Sequence, residues 1–216
     1  MTTPVDAGQD LSAAVAAGGT VRLGPGVHAG PLVIGASIVL QGEPGAVIDA
    51  DGRGPVVLVG VDDLVVRIEA VELRGGHAEA GAGVAVLAYS DVTLHGCTVR
   101  ANRARGSGGT GMGAGLYAVR GSVSLEGCTF ERNVARTGSD IVAGGVAEVR
   151  VMGGTFSGDI AAREGATLLV EGARIAGTLH ARGTTTRAPT VRVRGCTVRG
   201  GVVNDPSLPA VLSEDE

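Results

Sequence analysis

An eight-residue unit recurs six times in this chain, and its spacing leaves room for little except stacked strands. The copies start at Val66 (VRIEAVEL), Val92 (VTLHGCTV), Val123 (VSLEGCTF), Val149 (VRVMGGTF), Leu168 (LLVEGARI) and Val191 (VRVRGCTV). Their closing apolar residues, Leu73, Val99, Phe130, Phe156, Ile175 and Val198, are separated by 26, 31, 26, 19 and 23 positions. A fixed unit with variable connections is the mark of a solenoid. Alternating apolar residues make the first half of each unit a strand. The fifth residue (Ala70, Gly96, Gly127, Gly153, Gly172, Gly195) sits where the alternation changes phase, as a bend onto a second face requires. The next residue is small and is expected to point inward: Val71, Cys97, Cys128, Gly154, Ala173, Cys196.

A second short apolar strand precedes each unit: Val56–Leu58, Val84–Val86, Leu116–Ala118, Ile141–Ala143, Ile160–Ala162 and Leu179–Ala181, with another beginning at Val202. The shortest coil has 19 residues, and short strands and turns use them all, so no helix fits. The expected fold is all-β, a single-stranded right-handed parallel β-helix with coils ~4.8 Å apart. Its hand follows from the crossover preference of parallel strands. Residues 1–19 are expected to form an N-terminal cap with a short helix. Asp6 and Gln9 would supply its capping box, Leu11, Ala14 and Val15 its apolar face, and Gly18-Gly19 its stop. Less regular strands are expected at Val21–Leu23, Leu32–Ile34, Ile38–Leu40 and Val47-Ile48. The β-helix would run over residues 20–203 and a cap with an acidic tail over 204–216. Leu208, Val211 and Leu212 would cover the last coil, with Ser213 to Glu216 solvated; the alternative cover is another subunit, giving a homo-oligomer.

Composition narrows the function classes. Of 216 residues 38 are Gly, and aromatics make up 2% with no Trp, yet 44% are hydrophobic, enough for a core. All 18 basic residues are Arg, and the net charge of −4 is matched by Asp205, Glu214, Asp215 and Glu216. The remaining body is neutral and mixed in sign, which argues against nucleic acid or an acidic membrane as the main partner. No apolar run reaches the length of a membrane-spanning helix, so no membrane insertion is expected. Met1 to Gly19 lacks the basic and apolar regions of a secretory signal, making the cytoplasm the default expectation. Three Cys without C-x-x-C spacing indicate neither a disulfide framework nor zinc.

The run Gly18-Gly19-Thr20-Val21-Arg22-Leu23-Gly24-Pro25-Gly26-Val27-His28, followed by Ile38-Val39-Leu40-Gln41-Gly42-Glu43, resembles the opening coils of pectin-lyase-like right-handed β-helix proteins. The stretches Gly96–Asn102 and Gly127–Asn133 resemble the polymorphic outer-membrane protein repeat, whose mark is F-x-x-N with a GGAI-like tetrapeptide. Gly81-Ala82-Gly83-Val84 and Gly113-Ala114-Gly115-Leu116 approximate the latter. Val99 replaces the Phe in one copy, and Asp159 stands where Asn is due after Phe156. The superfamily likeness spans roughly residues 10–203 and the repeat two or three coils. It implies the fold, a bacterial source, a cell-surface or extracellular setting for many such proteins, and two activities, binding or polysaccharide processing.

Candidate sites follow from stacking. Glu69, His95 and Glu126 would lie on successive coils of an outward column continued by Met152, Glu171 and Arg194. Carboxylates on both sides favour the protonated imidazole, and such a group can perform acid–base work; a solvated charge ladder is the plainer reading. A neighbouring column (Glu72, Thr98, Thr129, Thr155, Arg174, Thr197) is Thr-rich but interrupted. Asp49, Asp51, Asp62 and Asp63 are candidates for Ca²⁺ and otherwise turn residues. Cys97, Cys128 and Cys196 are expected as buried fillers, and Asn102 and Asn133 as left-handed turn residues with stacked amides. Gly106–Gly111 matches G-x-G-x-x-G without the strand and helix that would give it meaning.

Loops 77–83, 103–115 and 134–140 all follow the same strand and should project from one edge. That edge would collect His77, Glu79, Arg103, Arg105, Arg136 and Asp140, with His77, Arg103, Arg105 and Arg136 as ligand-binding candidates. The favoured reading is a non-catalytic module for binding or structural display, with a protein or glycan partner and no resident cofactor. The first alternative is a polysaccharide lyase, hydrolase or epimerase. The second is a cytosolic scaffold that assembles with itself.

Overall fold

Each unit opens with a strand whose alternate side chains are buried, as in Asp91–His95, Ser122–Glu126, Glu148–Met152, Thr167–Glu171 and Thr190–Arg194. The structure is a computed structural model that describes residues 2–106, 111–183, 187–205 and, as backbone, 212–214. Val92 lies opposite Val66 on one side and Val123 on the other, and Leu94 opposite Ile68 and Leu125. The same register carries on to Val149, Leu168 and Val191. The result is a ten-stranded, wholly parallel sheet, here sheet A. Two eight-stranded parallel sheets complete the tube. Sheet B holds the second halves of the units, and sheet C the strands that precede them. The chain is therefore a three-faced parallel β-helix. Among the described residues no helix is long and apolar enough to cross a membrane.

In five of the six units the bend between sheets A and B is made by one left-handed residue; in the fourth, Gly153 and Gly154 are both left-handed, at φ 68° and 90°. Gly96 and Gly127 have φ of 58° and 59°, and a Cβ at either would meet nothing within 4 Å, so conformation rather than space selects glycine. Ala70 occupies the equivalent place at φ 53° and bears the steric cost of its Cβ. Ala70→Gly should stabilise the fold by ~0.5–1 kcal/mol in urea unfolding, the relief of strain being partly offset by the freer unfolded chain.

Inside, residues stack by type. Sheet B sends inward the file His28, Ile48, Leu73, Val99, Phe130, Phe156, Ile175, all buried, with Val198 half-buried at the end. Phe130 and Phe156 stack with ring centroids 5.1 Å apart. Val71, Cys97, Cys128 and Ala173 fill the narrow corner after the bend, while Cys196 in the last coil is half-buried. The thiols of Cys97 and Cys128 donate to the carbonyls of Ile68 and Leu94, each at 3.3 Å. Burial pushes the Cys97 thiol up to about 12 and raises that of Cys128, so both are inert fillers. Each buried aliphatic in these files contributes ~1.5–3 kcal/mol.

The ends differ from the expectation in detail. The helix spans Leu11–Ala17, and its cap is Asp10, whose side chain accepts from the Ser12 N–H. Asp6 and Gln9 make their reciprocal contacts one turn earlier, through Gln9 Oε1 and the Asp6 carbonyl. Leu11 and Val15 pack into the core, and Gly18 at φ 69° ends the helix as expected. A strand at Thr2–Val5, unexpected because only Val5 is buried, pairs with Thr20–Leu23. Gly26–Ala29 also joins sheet B. The strand placed at Val56–Leu58 is Val57–Val59, because Val57 and Val59 face inward. Leu208 and Val211 lie outside the described residues. Leu212–Glu214 pairs through its backbone with Arg192–Arg194, so this part of the tail extends sheet A.

Candidate functional site

Among the described residues the loops leaving sheet B are longest in three successive coils, and in those coils they stack. His77-Ala78 pairs in parallel with Arg103-Ala104, and bridges link Arg103 to Val134, Ala80 to Met112 and Met112 to Thr137. The loop edge is thus a ribbon with the register of the coils behind it. It exposes His77, Glu79, Arg103, Arg105, Val134 and Arg136. Residues 107–110, which carry most of the G-x-G-x-x-G match, lie outside the described residues.

Asp140 departs from the expectation that it belongs to this edge. It is fully buried and ends an internal polar ladder. The Asn102 Nδ2 donates to the Leu73 carbonyl and to Asn133 Oδ1 at 3.2 and 3.1 Å. Asn133 Nδ2 donates in turn to the Val99 carbonyl at 2.9 Å and to Asp140 Oδ1 at 3.0 Å, and the Gly158 N–H donates to Asp140 Oδ2 at 2.6 Å. The left-handed turn residues are Ala101 and Arg132, at φ 54° and 55°, rather than the asparagines that follow them. The amides are needed inside, where the loops leave backbone groups without strand partners. The expected stacking of the two amides between coils is present.

Burial pushes the Asp140 carboxyl above its ordinary range, more than the hydrogen bonds from Asn133 and Gly158 pull it down. The folded state therefore holds this proton more tightly than the unfolded chain, where Asp titrates near ~3.9. Its stabilising effect is complete below that value and is lost as the pH rises through the folded pKa. In urea titrations across the acid range, the stability margin of the wild type over Asp140→Ala should shrink as the pH rises. A margin that is flat or grows with pH contradicts the assignment.

The column Glu69–His95–Glu126 has the expected register but divides chemically. His95 Nδ1 lies 2.9 Å from Glu126 Oε2, while Glu69 is engaged by Arg67 and by Gln41 Nε2 at 2.9 Å. The Arg67 hydrogen bond, helped by that of Gln41, holds the Glu69 carboxyl below its usual range. The column stands on the outer face of sheet A, away from the two grooves described below, and the His95 side chain is 55% exposed.

The acidic stretch is also dispersed into local roles. Desolvation would raise the Asp49 carboxyl, but hydrogen bonds from Arg74 at 2.8 Å and the Asp51 N–H at 2.9 Å outweigh it and hold it low. Asp51 and Asp63 are left-handed turn residues at φ 49° and 61°, and Asp62 accepts from the Tyr89 N–H. Among the described residues no three His, Cys, Asp or Glu side chains gather as metal ligands.

Two grooves were not foreseen. One, of about 280 Å³, lies beside the loop edge and is lined by Met112, Tyr117, Arg163, Glu164 and Arg187. The other, of about 410 Å³, lies on the outer face of sheet B, with Thr129, Glu131, Thr155, Ser157, Arg174 and Arg199 along it. The only sign of it in the sequence is Arg174 interrupting the Thr column. Comparison with protein-family models, curated proteins and solved structures yields no match. The reading of function therefore rests on the chain's own geometry.

Proposed function

We propose that this chain is a non-catalytic binding or display module of pectin-lyase-like design, whose recognition surface is the loop edge. The observation that carries the reading is the pairing of His77-Ala78 with Arg103-Ala104, continued by the bridges to Val134 and Thr137. It gives otherwise irregular loops a fixed register, and preorganised loops lose little entropy on binding. The exposed Arg103, Arg105 and Arg136 suit an acidic partner, protein or glycan. An array of immobilised acidic and neutral glycans and acidic peptides tests this. The wild type should bind acidic members, and Arg103→Glu with Arg105→Glu should weaken binding by about tenfold or more at unchanged melting temperature. Binding that ignores the double charge reversal contradicts the reading.

The enzymatic alternative draws support from the smaller groove, where Glu164, Arg163, Arg187 and Tyr117 meet. On that reading Glu164 is the acid or base, and Glu164→Gln removes polysaccharide cleavage that the wild type shows.

A further inference from the structure

Sheet B presents two outward columns along the tube. One runs Val47, Glu72, Thr98, Thr129, Thr155, Arg174, Thr197. The other begins Asp49, Arg74, Arg100, Glu131 and continues through Ser157, Ala176 and Arg199, whose N–H groups donate to the carbonyls of Phe130, Phe156 and Ile175. In the first half of the face the charges satisfy one another. Arg74 binds Asp49 and Glu72, and Arg100 reaches Glu72 at 2.7 Å. In the second half they do not. Arg174 and Arg199 are exposed, and among the described residues neither guanidinium has an ion pair or hydrogen bond. Both line the groove of about 410 Å³, together with the hydroxyls of Thr129, Thr155, Ser157 and Thr197 and the Glu131 carboxylate.

We propose that this groove is a second binding site, separate from the loop edge, for an oligosaccharide carrying an oxyanion, either carboxylate or sulfate. Arg174 and Arg199 sit on adjacent coils and in neighbouring columns, so both guanidinium forks lie within reach of one anionic group. The hydroxyls advance by one coil, ~4.8 Å, a rise close to the length of one sugar residue in an extended chain. Thr155 Oγ1 and Thr129 Oγ1 are 3.4 Å apart, so neighbouring hydroxyls can bond a sugar hydroxyl as a pair. Glu131, at the end away from Arg199, accepts from hydroxyls there and repels a second anion. The ligand is thereby oriented, acid towards Arg174 and Arg199, neutral sugars towards Glu131.

The experiment is isothermal titration of the full chain with four probes: a uronic-acid tetrasaccharide, a sulfated tetrasaccharide, a neutral tetrasaccharide and inorganic sulfate. Saturable binding of at least one acidic tetrasaccharide is expected, weaker at high salt, with no binding of the neutral one. The acidic probe that binds identifies the oxyanion. Arg174→Gln and Arg199→Gln should each weaken binding by about tenfold. In a background of Arg103→Gln with Arg105→Gln, which removes the loop edge's own attraction for acidic glycans, the acidic tetrasaccharide should still bind saturably and Arg174→Gln should still weaken it about tenfold. Loss of all binding in that background assigns the binding to the loop edge and overturns this site. Failure of both acidic tetrasaccharides to bind overturns the proposal, as does binding indifferent to Arg174→Gln and Arg199→Gln. Inorganic sulfate binding as tightly as the tetrasaccharide overturns the role of the hydroxyl row. Both arginines are exposed, and an unchanged melting temperature verifies that each variant is folded.

Discussion

Phe130→Asp should abolish cooperative folding. Phe130 is 1% exposed, stacks on Phe156, and is succeeded along the tube by Ile175 and preceded by Val99 and Leu73. Loss of the ring alone costs ~3–5 kcal/mol. An ionised carboxylate with no cation within the file adds several kcal/mol more. Together these match the ~5–15 kcal/mol that a domain has to lose. Phe130→Leu keeps the file apolar and should cost only ~1–2 kcal/mol. Thermal melts by circular dichroism test both, and a soluble Phe130→Asp variant with a cooperative transition contradicts the register.

Gly115→Val should be nearly as damaging, for a different reason. A Cβ there would stand 2.5 Å from the Asp140 carbonyl oxygen and 2.6 Å from Phe130 Cδ1. Neither neighbour can retreat. The carbonyl accepts from the Leu116 N–H, and the ring is held by Phe156. Overpacking at such a point costs ~3 kcal/mol. Gly127→Ala is the control. Its Cβ meets nothing, so only the φ of 59° resists it, and the stiffer unfolded chain offsets part of that strain, leaving a net cost of ~0.5–1 kcal/mol. Urea unfolding should rank Gly115→Val well below Gly127→Ala; equal losses would show that the loop does not press on the ring.

The coils were legible because three local signals agree within each unit. Alternation gives the strand, a left-handed residue gives the bend, and a fixed offset gives the inward file. Where one signal is missing, so was the element. Thr2–Val5 has only Val5 buried, and Gly26–Ala29 buries only His28, so neither reads as half of a core strand. The candidate site was less legible because its chemistry depends on partners in other coils. Asp140 has the look of an exposed loop acid until the loop turns inward and gives it Asn133 and Gly158. Asp49 looks like a free turn acid until coil stacking brings Arg74 beside it, 25 residues away. The groove on sheet B depends on where charges fail to pair, which no single unit displays.

The measurement that reaches the central claim most directly is the pattern of cross-strand contacts between protons in the labelled protein, read by nuclear Overhauser spectroscopy. Backbone contacts should join Val92 to both Val66 and Val123, and Leu94 to both Ile68 and Leu125, with the Hα-to-amide spacing of parallel pairing. Close Hα–Hα contacts typical of antiparallel ladders, or contacts displaced by one residue, would contradict it.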